Sequence, residues 1–410
     1  MKPNHHSTTG TGARKAIRRI AQAAGCCFLF ILMTTSIHAQ KTSSLPTRIV
    51  CFGDSMTDGD TYPQLLMQAF HEAGGPVPAC ICSGVGGETM KAMDARFDTT
   101  VAVFKPEMVT VLEGTNDAGS NTPAESYETS LRSIVAKAKA IGARVMLLTP
   151  SECLARSGKT EAEKDASFAK THEHLDAYEA VIRKVAADES CILAENRKGF
   201  TEGLKKGENL FVEDSIHPNY LGQSLIARSI LDAMGHQDVA LPKSFDPKAL
   251  PGLVGNWKLR LSPLEKGQPV LLDADSVSKL SPDATWTSCE LPEKPPVADS
   301  PDIWLEQMRR NGAVMKTETL IGKGPMGQGV AKVVSADGGP AFIQTGMGID
   351  TIWLNGIKIH DQMKIWRGAH PGKERIPVTL LKGDNTIAIE FKDNFFLAVT
   401  PGLIWEDKLY

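Results

Sequence analysis

The sequence predicts a three-layer α/β/α domain built on a parallel sheet, followed by a β-sandwich. Three observations carry this. Short β-type runs alternate with longer helical patterns up to about residue 237, the apolar period changes to two beyond about residue 253, and all six tryptophans (Trp257, Trp286, Trp304, Trp353, Trp366 and Trp405) lie after residue 250. At 410 residues, 42% apolar and 23% charged, the chain is an ordinary globular sequence with room for two or three domains at roughly 150 residues each. That composition excludes a disordered or collagen-like chain.

The first 39 residues stand apart from the fold. Lys2, Arg14, Lys15, Arg18 and Arg19 form a basic start with no acidic residue before Asp54, the apolar stretch is densest from Cys26 to Met33, and Ser36-Ile37-His38-Ala39 ends in a small residue. The pattern predicts a signal peptide cleaved after about Ala39, hence an exported protein, periplasmic or secreted. The apolar core is far shorter than the ~20 residues of a spanning helix, so no stable membrane anchor is expected after cleavage. Loss of five basic residues makes the mature chain more acidic than the net −3 of the full sequence. A chain of that charge is a poor partner for nucleic acid.

Residues 46–237 supply the parallel sheet. The β-type runs are Arg48 to Phe52, Pro78 to Cys82, Met108 to Glu113, Arg144 to Leu148 and Ser190 to Ala194, and none meets its successor through a two-residue turn. Leu65, Leu66 and Phe70 in the first connection, and Leu131, Ile134, Val135, Ala138 and Ile141 in the third, have helical spacing. A helix is also predicted from Leu221 to Met234. Strands joined through helices give a parallel sheet covered on both faces with right-handed crossovers. Such sheets place ligands at the carboxyl ends of their strands.

The polar, glycine-rich sequences fall at those ends. They are Gly53-Asp54-Ser55-Met56-Thr57-Asp58-Gly59, then Ser83-Gly84-Val85-Gly86-Gly87-Glu88-Thr89, then Glu113-Gly114-Thr115-Asn116-Asp117, and finally Asp214-Ser215-Ile216-His217-Pro218-Asn219. A Gly-Asp-Ser turn alone is more often structural than catalytic. Hydrolysis by a serine needs a base within hydrogen-bond reach, a group that orients the base, and donors aimed at the developing oxyanion. Ser55, His217, Asp214 and the pair Gly87 and Asn116 meet those needs in turn.

On these four ordered blocks the chain resembles the SGNH hydrolases of the GDSL esterase class. The resemblance implies a flavodoxin-like SGNH domain over 46–237. It further implies Ser55 as nucleophile, His217 as general base and then acid, and Asp214 as the residue fixing the His217 tautomer. The implied oxyanion hole comprises the Ser55 and Gly87 backbone N–H groups and the Asn116 side-chain amide. Many members begin the second block with an asparagine two residues before its first glycine, whereas Cys82 stands there in this chain. That departure bears on local hydrogen bonding more than on activity, because Gly87 keeps the donor position.

Residues 238–252, with Pro242, Pro247 and Pro251, read as a linker. Beyond them, Ile352 to Ile359 carries Asn355-Gly356, the signature of a type I′ hairpin turn. Ile376 to Leu380 and Thr386 to Phe391 flank Lys382-Gly383-Asp384-Asn385 in the same manner. Short alternating strands predict a β-sandwich over 253–410. The runs 353–360 and 381–386 resemble the galactose-binding-like jelly rolls appended to polysaccharide-acting enzymes, which implies glycan binding through exposed indoles. Any individual tryptophan more often fills the sandwich core.

The six cysteines after the signal are too sparse for a disulfide framework. Cys153 and Cys191, near strand ends, are the first pair to test. No Cys or His cluster has zinc-site spacing, so neither a metal nor another cofactor is expected. His71, His172 and His174 sit in helical patterns rich in Glu and Lys and suit a solvated face. The segment Ser151 to Lys170 reads as a solvated loop and helix start that could also wall the substrate site. The function expected is an exported serine esterase acting on small acyl esters, acetyl foremost, of a carbohydrate. The alternatives are a lipid, lysophospholipid or aryl esterase, and an inactive carbohydrate-binding protein.

Overall fold

The computed structural model describes residue 1 and residues 44–291, 314–346, 348–361 and 374–410. The signal-peptide expectation, Trp304 and Trp366 therefore lie outside the described residues. Residues 46–410 form one compact unit. Among the described residues no helix is long and apolar enough to cross a membrane.

The first sheet contains β1 (Arg48–Gly53), β2 (Ala79–Gly84), β3 (Met108–Leu112), β4 (Arg144–Leu148) and β5 (Ile192–Ala194). All are parallel, in the order β2-β1-β3-β4-β5. The connections are α1 (Ser55–Asp58), α2 (Thr61–Glu72), α3 (Met90–Thr100), α4 (Thr115–Gly119), α5 (Ala124–Ala140), α6 (Glu161–Asp188), α7 (Asn196–Lys205) and α8 (Tyr220–Ala233). Alternation along each strand divides the core. Val50 and Phe52 join Val109, Val111, Val145 and Leu147 against α3, α5 and α6, while Ile49 and Cys51 are buried on the opposite side, where α2 packs on α8. This strand order reverses between β1 and β3. The crevice outside that reversal is where a doubly wound sheet opens for a ligand.

Two glycines make the crevice possible. A Cβ on Gly53 would lie 2.6 Å from the Leu112 carbonyl oxygen, and one on Gly84 would lie 2.2 Å from the Asp58 nitrogen. Only bare backbone lets β1, β2 and the α1 turn approach so closely. Arg96 on α3 braces the same place from beneath. Its guanidinium donates to the carbonyls of Gly53 and Ser83 at 3.0 Å each, to the Ser83 and Thr100 hydroxyls at 2.9 Å, and to Glu88, and it lies over the Phe52 ring.

After α8 the sheets become antiparallel. Among the described residues one is six-stranded and one three-stranded. The larger contains β6 (Asn256–Leu261), β9 (Thr287–Glu290), β10 (Gly327–Ser335), β12 (Ile349–Leu354), β13 (Ile357–Asp361) and β15 (Gly383–Phe391). The smaller contains β11 (Gly339–Thr345), β14 (Glu374–Leu380) and β16 (Leu397–Thr400), and a two-stranded ribbon, β7 (Leu264–Glu265) and β8 (Gln268–Pro269), stands apart. Leu259, Ile352, Ile387 and Ile389 from one sheet meet Ile343, Leu380 and Leu397 from the other in a shared core. The architecture is a β-sandwich. Asn355 and Gly356 both have positive φ, 52° and 83°, as the β12–β13 hairpin requires.

The second expected hairpin does not form. β14 pairs with β11, and β15 pairs with β10 and β12, so the chain changes sheets between Leu380 and Gly383. Asn385 makes this corner, its side chain bonding both the N–H and the C=O of Leu381. Trp257, Trp286, Trp353 and Trp405 are all buried. These four fill cores and offer no ring face to a sugar.

Residues 238–252 carry no helix or strand and are fastened along α2. Gln68 donates to the Ser244 carbonyl and accepts from the Asp246 N–H, and Gln64 accepts from the Lys248 N–H. The sandwich also returns to the first sheet. Leu403 and Ile404 pack against the α/β core, and the short turn Glu406–Lys408 contacts β2. Arg375 and Glu406 pair at 2.6 Å, almost wholly buried, with the Arg375 guanidinium over Phe104.

Candidate active site

Ser55 is the first residue of α1, held at the carboxyl end of β1 by Asp54, the N-cap, whose side chain accepts the Met56 N–H at 2.9 Å. Its hydroxyl lies 2.9 Å from His217 Nε2. His217 Nδ1 lies 2.6 Å from Asp214 Oδ2, and Asp214 Oδ1 accepts the N–H groups of Ile216 and His217 at 2.8 Å each. Ser215 adopts a positive φ of 61° to close this turn. Burial alone would raise the Asp214 carboxyl, but the bonds from the His217 ring, the His217 N–H and the Ile216 N–H outweigh it and hold the group below its ordinary range. An imidazole held this way keeps its proton on Nδ1 and leaves Nε2 free to take one from a hydroxyl.

The other two expected donors follow β2 and β3, the two strands that flank β1. Gly87, at a φ of +79° with open space where a Cβ would be, is exposed. Asn116 is on α4, directly after β3. Its Nδ2 donates to Asp54 Oδ2 at 3.1 Å and to the Glu88 carbonyl at 3.0 Å. Cys82, the departure from the family pattern, directs its thiol to the Thr57 carbonyl at 3.1 Å. It thereby bonds the nucleophile turn from β2.

After β4, Ser151, Glu152 and Cys153 are buried, and the Leu154 N–H donates to the Ser215 carbonyl at 2.9 Å, tying this segment to the Asp214–His217 turn. Glu152 is bonded by Arg197 at 3.0 Å, Thr201 at 3.0 Å and His172 at 3.1 Å. His172 is thus a half-buried partner of Glu152 rather than a residue of a solvated face. Cys153 and Cys191 are both free thiols, as are all six cysteines among the described residues. They lie in and against the apolar core around α6, where a buried thiol serves as a small hydrophobe.

Sequence reasoning missed a group of buried carboxylates behind the site. Asp54, Asp58, Glu113 and Asp117 are each 2% exposed or less. Glu113 Oε1 accepts the Asp117 N–H at 3.1 Å, and Asp117 Oδ2 accepts the Met90 N–H at 2.6 Å, which joins α4 to α3. Burial raises the Glu113 carboxyl well above its usual range, and its contact with Asp117 adds to this. All four lie inside the glycine-rich blocks, but their burial depends on strands far apart in sequence.

Asp54 gives a measurable consequence. Burial pushes its carboxyl from 3.8 to about 7, against the Met56 N–H and His217, which favour the charged form, and with Asp58, which disfavours it. Glu113 and Tyr127 also feel its charge. An acid whose pKa is raised by folding adds stability that is complete below about pH 3.8 and lost as pH rises through about 7. Asp54→Asn removes that loss. The Tm of the variant minus that of the parent should therefore climb between about pH 4 and about pH 8 in scanning calorimetry, and a flat difference would show that Asp54 titrates normally.

Comparison with known proteins places residues 51–225 on the family model of GDSL-like lipases and acylhydrolases. An acetylxylan esterase of Geobacillus stearothermophilus is 24% identical over 220 residues, which are 46% of this chain and 94% of that protein. Among solved structures, an α/β hydrolase enzyme from the metagenome of Lake Arreo is 24% identical, covering 47% of this chain and 96% of its own, with a TM-score of 0.40. A crystal structure of an acetylxylan esterase from Geobacillus stearothermophilus is 22% identical over 46% and 94% of the two chains, with a TM-score of 0.38. The family match ends before the antiparallel sheets begin.

Proposed function

We propose, because residues 51–225 match the GDSL-like lipase and acylhydrolase family, which supports a carboxylic ester hydrolase, that the protein is an exported serine esterase removing small acyl groups, acetyl foremost, from a carbohydrate. The observation that carries the serine chemistry is the continuous chain Ser55 Oγ, His217, Asp214 at 2.9 and 2.6 Å. Ser55 attacks the ester carbonyl as Nε2 takes its proton. The same proton leaves with the alcohol, and water then repeats the sequence to release the acid. The Ser55 and Gly87 N–H groups and the Asn116 amide receive the oxyanion, each contributing about 3 kcal/mol in the transition state.

The acetyl and carbohydrate parts rest on the relative named acetylxylan esterase and on the appended β-sandwich. Export rests on the basic and apolar pattern of the first 39 residues. The test is a series of 4-nitrophenyl esters from acetate to dodecanoate, followed by acetate release from acetylated xylan. Rates should be greatest for acetate and fall with acyl length. A maximum at the long chains would replace this reading with a lipid esterase.

A further inference from the structure

Asp54 and Asp58 bracket the nucleophile, Asp54 as the N-cap of α1 and Asp58 as its last residue. Both are buried, at 0% and 1% exposure. Each reaches a different one of the blocks proposed to supply the oxyanion donors. Asp54 Oδ2 accepts from Asn116 Nδ2 at 3.1 Å while its Oδ1 caps the Met56 N–H at 2.9 Å. Asp58 Oδ2 accepts the N–H of Gly86, the neighbour of Gly87, at 3.2 Å.

We propose that Asp54 and Asp58 are positioning residues through which the nucleophile's own turn sets its oxyanion hole, Asp54 by orienting the Asn116 amide and Asp58 by placing the Gly86–Gly87 backbone. This rests on the serine-esterase reading above. The reasoning for Asp54 is one of donors and acceptors. An amide can present either its oxygen or its NH2 group to a neighbour. Both groups that meet Nδ2, the Asp54 carboxylate and the Glu88 carbonyl, are acceptors when Asp54 is ionised, so only the NH2 end satisfies them and the flipped amide is excluded. The bond to Asp54 holds one amide hydrogen. The other, resting on the Glu88 carbonyl, is exchanged for the oxyanion as charge develops, which makes the gain specific to the transition state.

Burying carboxylates opposes folding unless they are hydrogen-bonded, and the bonds named above for Asp54 and Asp58 run to these donors or their immediate neighbours. A cation site does not account for them. Among the described residues no group of three or more His, Cys, Asp or Glu side chains could hold a metal ion.

The test is a double-mutant cycle between Asp54 and Asn116, with 4-nitrophenyl acetate as substrate and a melting curve for each variant. Asp54→Asn can offer NH2 to NH2 and should lower kcat roughly tenfold to a hundredfold with KM nearly unchanged. Asp54→Ser keeps an N-cap acceptor for Met56 but is too short for Asn116, so it should fold and show the same loss. In the Asn116→Ala background, either change should cost about threefold at most, because the partner is already gone. Asp58→Asn should reduce kcat independently of Asn116.

Equal losses from Asp54→Asn and Asp54→Ser with and without Asn116, or a parental kcat in both, would overturn the proposal. Full activity in Ser55→Ala would instead overturn the serine-esterase reading, so the two failures are distinguishable.

Discussion

Ser55→Ala should abolish esterase turnover, with kcat falling by roughly 10⁶-fold, since residues of a nucleophile–base unit act together and the loss of one forfeits nearly all of their effect. The structure makes this a clean substitution. Ser55 is the first residue of α1 and the cap belongs to Asp54, so alanine removes the hydroxyl without touching the bond that holds the turn. Stability should stay within about 0.5 kcal/mol of the parent. Burst-phase release of 4-nitrophenol from the acetate ester gives the readout, and a burst surviving in the alanine variant would remove Ser55 from the mechanism.

Asp214→Asn should give the second largest effect, a loss in kcat of roughly 10³ to 10⁴. The replacement can keep its oxygen on the Ile216 and His217 N–H groups, both at 2.8 Å in the parent, so the turn persists. Its NH2 then faces Nδ1 across the 2.6 Å contact. That forces the imidazole proton onto Nε2, where the base must be empty to act. Asp214 is 43% exposed, and water reaching the ring moderates the loss compared with a fully buried orienting carboxylate. Steady-state kinetics with a melting curve tests the expectation, and parental kcat would mean that His217 holds its tautomer unaided.

The parts of the fold legible in the sequence are those fixed by local pattern. The five parallel strands fall within two residues of the expected runs at either end, because strands buried on both faces read as short continuous apolar runs between helical periods. The Asn355-Gly356 turn was equally legible, since two adjacent positive φ angles are a local demand.

What escaped depends on distant contacts. Lys382-Gly383-Asp384-Asn385 has hairpin composition, yet β14 and β15 join different sheets because each finds its register with a strand elsewhere. His172 has helical, polar neighbours in sequence, and only the fold brings Glu152 to it. Asp54 and Asp58 were visible as motif residues but not as buried ones, since charged side chains are seldom fully enclosed and nothing in G-D-S-M-T-D-G reveals that β2 and β3 enclose it. The five residues proposed for catalysis could be named from the sequence because their chemistry requires specific residue types; Ser55, Gly87 and Asn116 follow strands, whereas Asp214 and His217 lie between α7 and α8. The residues that aim them could not be, because a carboxylate holding an N–H leaves no mark on local composition.

The contact of Leu403, Ile404 and the Glu406–Lys408 turn with the first sheet has a consequence for how the protein matures. Among the described residues β2 has a strand partner on one side only, and an open strand edge is a template for association between chains. The segment that shields it is made long after the sheet itself. A growing chain therefore carries an unguarded edge through most of its synthesis. The buried Arg375–Glu406 pair ties the turn that contacts β2 to β14 of the sandwich, so the late-made domain supplies the cover for an edge made early.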